Sequence, residues 1–236
     1  MEWFEWDFDH PAYFAIYHDK VEEAREEGPA LARLLDLPPG SRVLDLPCGW
    51  GRLRPHLEAR QWEVLGGDLS AMNLRRHLKE FGEAVARLDL RALPFQNASA
   101  DGILCAFTSW GYFATEAENV KQLSEFSRVL SPNGVLLLDL CGRHHLEAGV
   151  KEAGSAWRRF DSYRERIRWN PDGRRILTER KADGERFCHD IWIPTDAEIR
   201  AALAQAGFRV DRAFGGLQEE GWHPHAERWI YRAIKL

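Results

Sequence analysis

At 236 residues the chain fits a single domain on a prior of about 150 residues per domain, and it is long enough to bury a core without disulfide or metal support. Its 44% hydrophobic and 29% charged residues exclude a disordered or fibrous chain. Lys and Arg total 32 against 37 Asp and Glu, a formal net charge of −5, which counts against a free-standing nucleic-acid binder.

No run of 18 apolar residues is present, and the opening MEWFEWDFDH has neither the basic nor the apolar region of a signal peptide. A cytoplasmic protein without a membrane span is therefore expected. Cys48, Cys105, Cys141 and Cys188 form no CxxC pair and read as reduced, mostly buried side chains.

After the aromatic and acidic start, apolar positions near period 3.6 predict a helix over 11–35, stopped by Pro38, Pro39 and Gly40. Residues 1–40 thus form an N-terminal helical cap. The chain then alternates: strand 41–46, helix 51–60, strand 62–68, helix 70–81 starting on Ser70, and strand 84–90. Strand 102–107, helix 116–130 and strand 134–140 follow. Strands that are apolar throughout, alternating with helices, imply a parallel sheet covered on both faces, so 41–142 is the core.

Beyond residue 142 the pattern changes. Residues 157–169 and 174–193 read as strands joined by Asn170-Pro171-Asp172-Gly173, an antiparallel hairpin inserted within 155–193. The last part, 194–236, holds a helix over 195–206 with Thr195 and Glu198 in a capping box, then strands over 208–214 and 227–234.

In open parallel sheets, ligands sit beyond the carboxyl ends of the strands. The first strand ends in Asp45-Leu46-Pro47-Cys48-Gly49-Trp50-Gly51, where glycines let a ligand approach the backbone. Asp68 ends the second strand, placed to accept ribose hydroxyls, and Asp89-Leu90 ends the third, suited to an adenine edge. Three acids at three successive strand ends point to an adenosine ligand. No GxxxxGK[ST] loop exists, and Arg54 stands where a dinucleotide fingerprint needs its third glycine.

Over essentially its full length the sequence resembles the class I S-adenosylmethionine-dependent methyltransferases. VLDLPCGWG is similar to their first motif, GGDLS to the acidic motif of the second strand, and LDLRALPF to the third-strand motif. SRVLSPNGVLLLDL resembles the segment leading into the fifth strand. FTSWGYF, DLPCGWGR and Tyr13-Phe14-Ala15-Ile16-Tyr17 resemble a subset acting on small molecules.

The resemblance implies a Rossmann-like α/β fold: a seven-stranded, mostly parallel sheet with helices on both faces and an antiparallel last strand. It implies S-adenosylmethionine as cofactor, held by Tyr13, Asp45, Pro47, Gly49, Asp68, Leu69, Met72, Asp89, Leu90 and Phe107. Pro47 departs from the usual glycine and cannot take a positive φ, so close backbone approach rests on Gly49 and Gly51.

Candidates for the acceptor side are Tyr17, Trp110, Tyr112 and Arg143, with Tyr112, His144 and His145 as proton carriers. No metal site is expected from the His223-Pro224-His225 pair. A small-molecule acceptor methylated on nitrogen or oxygen is the expected substrate, and the acidic cap leans toward a cationic amine. No nucleic-acid or membrane partner is expected, and the chain is read as a monomer or homodimer. A nicotinamide-dependent oxidoreductase and a non-catalytic adenosine-binding module remain as alternatives.

Overall fold

The computed structural model describes residues 2–17, 20–82, 84–154 and 156–236. Seven strands form the main sheet: β1 (Arg42–Asp45), β2 (Glu63–Asp68), β3 (Val85–Arg87), β4 (Ala100–Cys105), β5 (Leu130–Cys141), β10 (Phe208–Phe214) and β11 (Arg228–Lys235). Their order is β10-β11-β5-β4-β1-β2-β3. β11 runs antiparallel to both its neighbours, whereas β1 to β5 pair in parallel. The seven-stranded sheet with an antiparallel last strand is therefore present.

Strand alternation divides the core between the two faces. Val43, Leu104, Val135 and Leu137 meet α3 (Lys20–Leu35) and α4 (Arg54–Glu58) through Leu31, Leu35 and Leu57. On the other face Leu44, Ile103, Leu136 and Leu138 meet α6 (Glu116–Val129) and α8 (Asp196–Gln205) through Leu123, Phe126 and Leu203. Each of these strand residues is nearly solvent-free, as a doubly covered sheet requires. α5 (Ala71–Phe81) starts on the Ser70 side chain, which accepts from the Asn73 amide.

Three regions depart from the expected pattern. The region expected as a helix over 11–35 holds α2 (Pro11–Tyr17) and α3, with 18–19 outside the described residues, and a short helix not expected, α1 (Trp3–Asp7), precedes it. A helix not expected, α7 (Arg143–Ala153), follows β5; none of its residues is buried, and its apolar stripe is only Leu146, Val150 and Ala153, a short signal in sequence. The hairpin expected over 155–193 is a separate four-stranded antiparallel sheet, β6 (Arg158–Arg159), β7 (Arg164–Trp169), β8 (Arg175–Ala182) and β9 (Glu185–Trp192).

That second sheet stands over the carboxyl ends of the main strands, with α1 against β9 and α2 against β8. Alternation turns Cys188 outward, so it is exposed while Cys48 and Cys105 are buried. Among the described residues no helix is long and apolar enough to cross a membrane.

Candidate functional site

A cavity of about 430 Å³ lies between the strand ends and the second sheet. The strand-end wall carries Asp45, Pro47, Gly49, Asp68, Leu69, Met72, Asp89, Leu90 and Phe107, and the cap adds Tyr13 and Tyr17. All the residues expected to hold the cofactor thus border one space, as does Tyr112.

The loop after β1 is tied to β2. The Cys48 amide donates to the Gly67 carbonyl at 2.9 Å, and the Gly49 amide to Asp68 Oδ2 at 2.8 Å. Asp68 Oδ1 accepts from the Ser70 amide at 2.8 Å. Gly49 adopts φ +55, and a Cβ built there meets nothing within 4 Å, so its bare backbone faces open space. Gly51 differs from expectation: a Cβ there would strike His77 and Phe81, so this glycine serves helix packing.

Burial sets the electrostatics of this wall. Desolvation pushes the Asp45 carboxyl up to about 7, opposed by Arg52, with Asp68 pushing further upward. Asp68 rises to about 6 for the same first reason, held back by the Ser70 and Gly49 amides. No donor among the described residues reaches the Asp45 carboxylate. Asp89 is different, since Arg91 bonds both its oxygens, at 2.7 to 3.2 Å, and keeps it below the usual carboxylate range despite partial burial.

After β4 the chain makes a turn in which Phe107 and Thr108 are both left-handed, at φ +59 and +54. Such residues cost about 1–3 kcal/mol each and need firm support. Asp139 provides it: its Oδ2 accepts from the Phe107 amide at 2.9 Å, and its backbone carbonyl accepts from the Thr108 amide at 2.9 Å. Asp139 is gripped by Arg228 at 3.0 and 2.6 Å, Arg228 bonds Glu27 at 2.6 Å, and Glu27 accepts from Arg52 at 2.5 Å. Arg52 and Lys20 then lie over the Phe107 ring, 5.3 and 4.8 Å from its centre. One buried ion-pair chain therefore connects the last strand to the cavity mouth.

The opposite wall comes from residues of the second sheet that share one face: Ile167 on β7, Ile176, Thr178 and Arg180 on β8, and His189 and Ile191 on β9. His189 Nε2 lies 2.7 Å from Tyr13 Oη. Burial, reinforced by Arg180, holds the imidazole well below its usual pKa, so it is neutral. Asp7 accepts from the Cys188 amide at 3.0 Å, and burial lifts its carboxyl to about 7.

Four expected acceptor-side residues lie elsewhere. Trp110 is fully buried, donates to the Asn119 carbonyl at 2.8 Å and packs on Trp192, because its side chain points into the sheet's core. Arg143 braces α7 by donating to the Ile193 and Gly173 carbonyls. His144 pairs with Glu147, and His145 is exposed; neither borders the cavity. Conversely, Arg180 and His189 border the cavity and are absent from the expected site. Their signal was present: Asp183-Gly184 between alternating runs is a two-residue hairpin turn, and it puts 178, 180, 187 and 189 on one face.

Residues 43–134 match the profile of a family described as "Methyltransferase domain". YqeM of Bacillus subtilis, which carries a provisional methyltransferase name, is 30% identical over 108 residues, 44% of this chain and 44% of YqeM. That match spans less than half of either protein. An S-adenosylmethionine-dependent methyltransferase from Clostridium acetobutylicum superposes with a TM-score of 0.77 at 19% identity, covering 94% of this chain and 97% of that one. CalS10 of Micromonospora echinaspora, an amino pentose methyltransferase solved with S-adenosylmethionine bound, superposes with a TM-score of 0.62 at 21% identity, covering 96% and 98%. At these identities the likeness is one of fold. Residues 43–134 thus carry a methyltransferase-domain profile, and the fold of the chain is that of solved S-adenosylmethionine-dependent methyltransferases.

Proposed function

We propose that the protein transfers a methyl group from S-adenosylmethionine to a nitrogen or oxygen of a small-molecule acceptor, releasing S-adenosylhomocysteine. The reading treats the whole chain as one methyltransferase domain. The observation that carries it is one cavity with two unlike walls, acids and a bare glycine on the strand ends, aromatic and polar groups on a separate sheet.

The strand-end wall fits the cofactor. Asp68 has lone pairs to spare after its two amide contacts and would take the ribose hydroxyls; Leu69, Met72 and Leu90 would flank the adenine. Asp45, without a donor of its own, suits the ammonium of the methionine end, and open space at Gly49 leaves room for that end. Asp89 borders the space where the adenine amino group would lie, and would accept from it by giving up part of the four contacts Arg91 makes to its two oxygens. When bound, the cofactor supplies an electrophilic methyl on sulfur.

The chain's remaining task is to orient the acceptor and exclude water. Alignment of this kind is worth about 7–11 kcal/mol of barrier. Phe4, Phe8, Tyr17 and Tyr112 close the space. His189, neutral and held between Tyr13 Oη and Arg180, orients the acceptor's polar group on this wall; burial and the adjacent guanidinium disfavour its protonation, so it is a positioning group and not the base.

Calorimetric titration with S-adenosylmethionine and S-adenosylhomocysteine tests the reading, with NADH and ATP as controls. Micromolar binding of the pair, lost in Asp68→Ala, is expected. Folded protein that ignores the pair, or that prefers NADH, overturns it.

A further inference from the structure

The charged side chains around the cavity are sorted by side. Among the described residues six border it: Lys20, Asp45, Arg52, Asp68, Asp89 and Arg180. All three carboxylates belong to the strand-end wall. The opposite wall is apolar and aromatic apart from Thr178, His189 and a single charge, Arg180. An arginine keeps its charge in any protein setting, so that wall is permanently cationic.

Among the described residues nothing cancels that charge in full. Glu165, buried across the strand pair, accepts from Arg180 Nε at 2.8 Å but also from Arg158 at 2.9 Å. One carboxylate thus serves two guanidinium groups. Glu179 belongs to Arg166 and Arg186, and Asp7 is turned to the Cys188 amide; neither borders the cavity. One terminal nitrogen of Arg180 lies 3.3 Å from His189 Nδ1, and the other has no acceptor among the described residues. A guanidinium with unused donors inside an enclosed, aromatic space matches a planar pair of oxygens.

We propose that the methyl acceptor is an acid, carrying a carboxylate or a comparable planar oxyanion that binds on Arg180 while its body lies against Phe8 and Tyr112. The identification of this ligand as the acceptor rests on the methyltransferase reading; the acid-binding site does not. It reverses the lean toward a cationic amine drawn from the acidic cap, because none of the cap's described acids borders the cavity. An ammonium ion on this wall would sit beside a guanidinium.

The test uses the full chain and ligand-observed saturation-transfer NMR, with and without saturating S-adenosylhomocysteine. The probes are benzoate and 4-hydroxybenzoate, their amides, and benzylamine. The acids are expected to bind about tenfold or more tightly than the amides, and benzylamine less well than either. Arg180→Gln should erase the preference, and Arg180→Lys should keep part of it. Equal binding of acid and amide by the wild type, or a folded Arg180→Gln that retains the preference, overturns the inference. If Arg180→Gln does not fold, the wild-type preference and the lysine variant decide. Acid preference without binding of S-adenosylhomocysteine would sink the methyltransferase reading alone; binding of S-adenosylhomocysteine without acid preference would sink this inference alone.

Discussion

Asp7, Asp45 and Asp68 are all buried, and burial moves their carboxyls to about 7, 7 and 6. The unfolded chain releases these protons near pH 4. Between pH 4 and 7 the folded state therefore binds more protons than the unfolded one. Each group's contribution to stability is complete below pH 4 and is lost as pH rises through its folded value. In Asp7→Asn the amide oxygen can still accept from Cys188, but the proton linkage disappears. The fall of stability between pH 4 and 7 should flatten by about 1.4 kcal/mol per pH unit. Urea unfolding at several pH values checks this, and an unchanged slope would count against the raised Asp7 value. Asp45 carries a related consequence at the ligand. A cationic amino group beside it favours the carboxylate, so S-adenosylhomocysteine should bind more tightly at pH 8 than at pH 6, with release of a proton. Calorimetry in buffers of different ionisation enthalpy detects that proton, and Asp45→Asn should abolish it.

Two connections between elements hold the site's shape. Gly111, at φ +105, receives the Trp192 amide on its carbonyl at 2.8 Å, and a Cβ there would lie 2.4 Å from the Trp192 carbonyl oxygen. The end of β9 is thereby docked on the segment after β4. Gly111→Ala should cost roughly 3 kcal/mol and separate the walls; chemical denaturation and ligand titration would show both effects together. The second connection is Asp139 with Arg228. Asp139→Asn should destabilise by about 3 kcal/mol, since it leaves a buried arginine short of its partner. It should also weaken cofactor binding by loosening the Phe107 turn, whereas a purely structural effect would leave affinity intact.

These elements were unevenly legible in the sequence. Asp45, Asp68 and Asp89 could be found because a parallel strand announces its own end: an apolar run breaks at an acid followed by glycine or a turn. Trp110 misled because its neighbours Phe107 and Tyr112 do border the cavity, and only the turn geometry separates them. Arg180 and His189 stayed hidden within a segment read as one strand, where the turn at Asp183-Gly184 fixes which residues share a face.

At the scale of the whole molecule, the cavity is roofed by segments far apart in sequence. Tyr13 and His189 meet across 176 residues, and Glu27 and Arg228 across 201. Ligand should therefore protect amides in α1, α2 and β9 from hydrogen exchange as well as those at the strand ends. Protection confined to the strand ends would mean that the roof takes no part in binding. The long ion-pair chain has a consequence for biosynthesis. Synthesis runs from the N-terminus, so Glu27 and Arg52 leave the ribosome long before Arg228 does. Until Arg228 arrives, Asp139 lacks the counter-charge that steadies the Phe107 turn. A nascent chain can thus assemble β1 to β5, yet it gains a finished binding site only when β11, the last strand, has emerged.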